Sequence, residues 1–181
     1  MRRLNRCSRI AVIALCGTAL LAASGRESPA PPAAGPAAGP QEVEIVAVVV
    51  NPETEQPAVI LRGKRDQRRF AMSIGAAEAT GIAVPLRQMT PPRPLTHDLF
   101  LTLFGRLNVT FKKAIITDLR DNIYYATLYL TVNGTEMQLD SRPSDAIALA
   151  VRAKGPVYVE ERVFEKSERG TPAGSPSGPK I

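Results

Sequence analysis

The sequence predicts an α+β domain: an antiparallel or mixed β-sheet with about three helices packed on it. Two observations carry that reading. Apolar residues recur with period two in two blocks, 42–74 and 109–140, while 75–107 and 141–154 change to helical spacing. The blocks are segregated instead of alternating strand by helix, which separates α+β from a doubly wound parallel sheet.

Along the chain, EVEIVAVVV (42–50) is rich in β-branched residues and reads as a strand buried on both faces at its end. Asn51-Pro52 breaks it, Pro57 to Leu61 resumes as a second strand, and GKRDQ turns the chain. RRFAMSI then sets Phe70, Met72 and Ile74 on one face, completing an antiparallel meander. Gly75 to Met89 has helical spacing, weakened or bent by Gly81 and Pro85. TPPRP (90–94) is a rigid connector, after which Thr96 is positioned to cap a helix with Asp98 in its first turn. Leu99, Phe100, Leu103, Phe104 and Leu107 form the stripe of a core-facing helix. Strands return in VTFKKAIITDL and IYYATLYLTV, with Asp121 and Asn122 as turn formers between them. Asn133-Gly134 is a strong hairpin signal leading into TEMQLD. Ser141 is placed to cap a helix with Pro143 in its first turn, Gly155 ends it, and a short strand (157–159) and a helical turn (ERVFEK) follow.

The 181 residues divide into one domain with extensions. Residues 1–24 have the basic head (Arg2, Arg3, Arg6, Arg9), apolar run (10–23) and small residues of an export signal. That run is too short for the roughly 20 residues of a membrane-spanning helix. Residues 25–40 read as a disordered Pro/Ala-rich spacer, 41–166 as the folded domain, and 167–181 as a disordered tail. The expected product is periplasmic or secreted, with no stable membrane span in the mature chain. Retention through an uncleaved leader is the lesser alternative. Cys7 and Cys16 both lie in the leader, so the mature chain holds no disulfide, thiolate metal site or cysteine nucleophile. The net charge of +6 hints at nucleic acid, yet 41–166 carries 16 Lys+Arg against 15 Asp+Glu. Only local clustering can therefore identify a partner.

Walker, dinucleotide-binding, GxSxG and HExxH motifs are all missing from the sequence, and the lone His97 excludes a multi-histidine zinc site. Two segments gather polar residues at element boundaries. RPLTHDL (93–99) delivers Arg93, Thr96, His97 and Asp98 to a helix start, and DSRPSDAIALAV (140–151) delivers Asp140, Ser141, Arg142, Ser144 and Asp145 to another. Helix N-termini suit phosphate. Asp98, Asp140 and Asp145 are the candidate ligands for Mg2+ or Mn2+, which take oxygen donors. Glu78 is a further catalytic carboxylate and His97 a general acid or base. Arg93 and Arg142 are phosphate clamps, with Thr96, Ser141 and Ser144 beside them. Each also has a structural explanation: cap, first-turn acid, boundary histidine or local ion pair. Arg62, Lys64, Arg65, Arg68 and Arg69 ring one hairpin tip, with Asp66 the one opposing charge nearby in sequence. A charged edge that resists aggregation competes there with a phosphate-contact patch. Tyr124, Tyr125 and Tyr129 suit base stacking, but strand alternation favours core or sheet-surface roles.

The same segments, with IGAAEA (74–79) and TDLRDNIYYATL (117–128), resemble the bifunctional nuclease domain across essentially all of 42–166. Pro85 and the short loop after Val132 depart from its pattern. The resemblance implies an α+β domain that self-associates into a homo-oligomer and cleaves both RNA and DNA. It implies no settled mechanism. The competing expectation is a non-enzymatic oligomeric binding module of the cell envelope.

Overall fold

A computed structural model describes residues 39–170. The expected leader 1–24, nearly all of the spacer and the tail from 171 lie outside the described residues. The elements in chain order are β1 (Gln41–Val50), β2 (Pro57–Gly63), β3 (Arg69–Ser73), α1 (Ala76–Leu86), α2 (Thr96–Arg106), β4 (Val109–Arg120), β5 (Ile123–Val132), β6 (Thr135–Ser141), α3 (Pro143–Ala153), β7 (Val157–Val159) and α4 (Glu161–Gly170). The strands make one mixed sheet in the order β3-β2-β1-β7-β4-β5-β6. Its neighbours are antiparallel except for the parallel pair β4–β7.

All four described helices pack on one face of the sheet. Val59, Leu61, Phe70, Met72, Ala114, Ile116, Leu128 and Leu130 meet Ile82, Ile147, Val163 and Phe164 in a single buried cluster. A bulge between Ile45 and Ala47 shifts the alternation of β1. Val43 and Val48 consequently both reach the main core, while Ala47 and Val49 join a smaller cluster on the opposite face. That explains why the strand is apolar on both sides.

The turns follow their sequence signals. Asn133 (φ 49°) and Gly134 (φ 85°) make a two-residue left-handed hairpin, and Asp121 (φ 49°) and Asn122 (φ 61°) make another. α3 starts with Pro143, whose missing N–H is unneeded there.

Four expectations are corrected. Neither Thr96 nor Ser141 caps a helix: Leu95 and Arg142 occupy the cap positions, and Asp98 Oδ2 accepts the Leu95 N–H (2.8 Å) instead. α2 buries none of its residues fully. Leu101 and Phe104 pack against the core, but Leu99, Phe100, Leu103 and Leu107 are 47–58% exposed. The expected core stripe is mostly an outward face, because α3 already covers the sheet beside it. Lastly, the terminal helical turn is a helix reaching Gly170, so the ordered domain extends past 166. Ser167, 3% exposed, bonds the Val163 carbonyl (2.6 Å) and the Tyr124 hydroxyl (3.2 Å).

Candidate active site

The two turn-to-helix junctions come together. The first turns of α1 (Ala77, Glu78), α2 (Thr96, His97) and α3 (Arg142 at the cap, Asp145 inside) border one hollow of about 900 Å³. Phe100, Phe104, Leu128, Leu139 and Leu149 form its apolar wall. No side chain caps the N-terminal N–H groups of α1 or α3. Three helix starts converging on one cavity favour an anion.

His97 Nε2 lies 3.3 Å from Asp145 Oδ1. Arg142 donates to both oxygens of Asp145, from Nε (2.7 Å) and Nη2 (3.1 Å), and its Nη1 lies 2.8 Å from Glu78 Oε1. Burial pushes the Asp145 carboxyl upward, but hydrogen bonds from Arg142 and His97 outweigh it and hold it below its ordinary range. Asp145 is therefore ionised at neutral pH and accepts a hydrogen bond from Nε2–H, the tautomer its charge selects. Nδ1 then carries the lone pair. The histidine ring lies against Gly81 of α1: a Cβ there would sit 2.9 Å from Cε1 and 3.1 Å from Nδ1. Gly81, expected only to weaken its helix, makes room for the imidazole.

The other expected residues separate. Asp98 turns to the far side of α2, taking the Leu95 N–H and Arg152 Nε (2.6 Å). Burial would raise its pKa, and these two partners lower it instead. Asp140 borders the hollow, but its register opposite Thr127 places it on the sheet face away from Leu139 and the helices. No hydrogen bond or ion pair engages it among the described residues. Ser141 borders the hollow with its hydroxyl on the Arg142 carbonyl (3.1 Å), whereas Ser144 is buried in the first turn of α3 and Arg93 is exposed in the connector, both outside the lining. Asp98, Asp140 and Asp145 thus do not form a shared ligand set. Among the described residues no three acid, histidine or cysteine side chains group for a metal ion. The expected Mg2+ or Mn2+ site does not fit this arrangement.

Sequence reasoning missed Arg152. Its side chain is 6% exposed and ties three helices together: Asp98 of α2, the Ala148 carbonyl of its own helix (3.1 Å) and the Gly81 carbonyl of α1. Pro85 lacks the N–H that would bond Gly81 O four residues back. An arginine interrupting the apolar run of α3 was the available signal.

The basic hairpin tip is largely neutralised by Asp66 within it and by acids distant in sequence. Arg62 pairs with Glu44, Lys64 with Glu42, and Arg68 with Asp66 and Glu161. Tyr124 points into the core side, whereas Tyr125 and Tyr129 lie under Arg120 (4.3 Å) and Lys113 (4.7 Å) on the helix-free face.

Comparison with known proteins gives three findings. Residues 59–171 match the family described as the bifunctional nuclease domain. An uncharacterized protein of Mycobacterium tuberculosis is 37% identical over 126 residues, covering 70% of this chain and 75% of that one. Bifunctional nuclease 1 of Oryza sativa subsp. japonica is 35% identical over 81 residues, 43% of this chain and 24% of the rice protein.

Proposed function

Because this chain belongs to the bifunctional nuclease domain family, we propose that it hydrolyses phosphodiester bonds of RNA and DNA with low sequence specificity in the three-helix hollow. The observation that carries this reading is the His97–Asp145 pair beside Arg142 where three helix starts converge. Asp145 holds the imidazole through Nε2, and Nδ1 takes the proton of an attacking water. First-turn N–H groups and Arg142 hold the phosphate as negative charge builds on its oxygens. The leaving oxygen recovers a proton from the imidazolium or from water. The apolar wall admits sugar and base without reading sequence. The carboxylates of Glu78 and Asp145 are held by Arg142, and the step is carried by this chain's own side chains.

The basic head and apolar run of the leader support action outside the cytoplasm, in the periplasm or medium. Among the described residues no helix is long and apolar enough to cross a membrane.

The test is hydrolysis of single-stranded RNA and DNA by the purified chain, with and without EDTA. His97→Ala and Asp145→Asn are each expected to lose about 100-fold or more in rate. Full-rate cleavage by both variants sinks the site assignment. Activity is expected to survive EDTA, and its abolition would mean that a cation displaces Arg142 from Glu78 and Asp145. The exposed apolar face of α2 favours a second reading, an oligomeric binding module. Self-association without hydrolysis of either nucleic acid would select it.

A further inference from the structure

The guanidinium that is to hold the phosphate is already engaged. Asp145 accepts from the Nε and Nη2 edge of Arg142 (2.7 and 3.1 Å), and Glu78 Oε1 stands 2.8 Å from Nη1. An arginine grips an oxyanion with parallel bonds from either of two forks. Here Asp145 fills the first, and Glu78 contests the second, formed by Nη1 and Nη2. The two acids are held differently. Asp145 takes two bonds from a residue at the start of its own helix and also engages His97 Nε2. Glu78 takes one, from a different helix, and is the easier of the two to displace.

Glu78 also lies where an entering anion would be drawn. It lines the hollow from the first turn of α1, and its carboxylate folds back over the helix start, because a Cβ on the cap residue Gly75 would run into Oε2. One oxygen thus faces Arg142 and the other the uncapped beginning of α1. The Glu78 side chain is 20% exposed and that of Arg142 66%, so the carboxylate sits inward and the arginine outward. Guanidinium and helix start are the two positive groups that the nuclease reading gives to the substrate phosphate.

We propose that Glu78 is an internal stand-in for the substrate phosphate: its carboxylate fills the seat between Arg142 and the start of α1, and yields it when a phosphate enters. The exchange sorts states of the substrate by charge. A diester carries one negative charge, as the departing carboxylate does, so its entry swaps like for like and ground-state binding stays weak. Charge then builds on the phosphate oxygens during cleavage, and the vacated seat holds more of it than the carboxylate supplied. Attraction is in this way kept for the transition state. Glu78, returning to Arg142 afterwards, competes with the phosphate-ended product and speeds its release. That kinetic role rests on the nuclease reading. The sharing of the seat does not.

Inorganic phosphate, titrated into the full chain and followed through the Cε1 proton of its single histidine, reads the seat without any hydrolysis. Glu78→Gln keeps the shape and removes the charge, and is expected to bind phosphate about tenfold more tightly. Gly75→Ala keeps the charge but pushes the carboxylate off the helix start, at an extended backbone position (φ −72°, ψ 161°) that alanine adopts. It is expected to tighten binding about threefold. Arg142→Gln is expected to weaken it about tenfold, for want of a charge-assisted bond. Circular dichroism confirms that each variant folds. Unchanged or weaker affinity in Glu78→Gln overturns the proposal, because the carboxylate then orients Arg142 instead of competing for it. Tightening in Glu78→Gln with none in Gly75→Ala overturns it too, since removal of a nearby charge then suffices. Indifference to Arg142→Gln, or phosphate binding by none of the proteins, overturns it equally. On single-stranded RNA, Glu78→Gln is expected to lower KM about tenfold without raising kcat. A loss of about 100-fold in kcat at unchanged KM makes Glu78 a catalytic residue and overturns the kinetic role. Should the native chain hydrolyse neither RNA nor DNA, the nuclease reading fails, while the phosphate titrations still decide whether Glu78 shares the seat.

Discussion

Pro85 and Arg152 are coupled through one carbonyl oxygen. The proline leaves Gly81 O without its helical donor, and the buried guanidinium supplies the missing bond while also holding Asp98. Arg152→Met should strand both acceptors and lower stability by about 3 kcal/mol in urea unfolding. Gly81→Ala tests the adjacent contact. Its gain of up to about 1 kcal/mol in helix propensity offsets the crowding of His97, so stability should change little while activity falls about tenfold. Asp66 gives a pH signature. Burial works against its charge, but bonds from Arg68 and Gln41 prevail and lower its pKa to about 2. Its folded pKa lies below its unfolded one, so this stabilisation is present above about pH 4 and is lost as pH falls toward 2. With its side chain nearly a third exposed, Asp66→Asn should cost about 1 kcal/mol at pH 7, a difference that vanishes near pH 2. At this scale the sequence showed which residues are polar and near helix starts. It did not show that His97 and Asp145 face each other while Asp98 turns away, because helix packing decides that.

Element types were legible wherever local chemistry sets them. Asn133-Gly134 and Asp121-Asn122 determine their own turns, and Pro143 its own helix start. The orientation of α2 was not legible, since an amphipathic stripe looks the same whether it meets the core or a partner. Leu107→Ala should therefore change monomer stability by about 0.5 kcal/mol or less, where a core leucine such as Leu130 would cost 2–5 kcal/mol, roughly, on truncation. Chemical denaturation at low protein concentration separates the two. Gly155 was read as a helix stop. Lys154 takes the left-handed cap (φ 52°), and Gly155 is glycine because a Cβ would lie 2.5 Å from Phe111 Cε1. Gly155→Ala should overpack that contact and destabilise by about 1–3 kcal/mol in the same assay.

The whole domain balances charges that sequence proximity leaves unbalanced. The arginine-rich hairpin tip has one acid nearby in the chain, yet folding brings Glu42 and Glu44 from β1 and Glu161 from α4. Its boundary likewise depends on tertiary packing: the sequence reads ERVFEK as a closing helical turn and residues from 167 as tail, until Ser167 is seen buried. A chain ending at 166 should melt several degrees below one ending at 170, having lost the Ser167 bonds and the last helical turn. One strand then governs when the sheet can exist. β7 spans three residues, pairing with Gln41–Val43 on one edge and Ala114–Ile116 on the other, and it alone links the β1–β3 and β4–β6 halves. Until the codon for Val159 is translated, the chain lacks the strand that joins the two half-sheets across their inner edges. Any premature stop before that codon leaves them unjoined, open to capture by proteases or by each other.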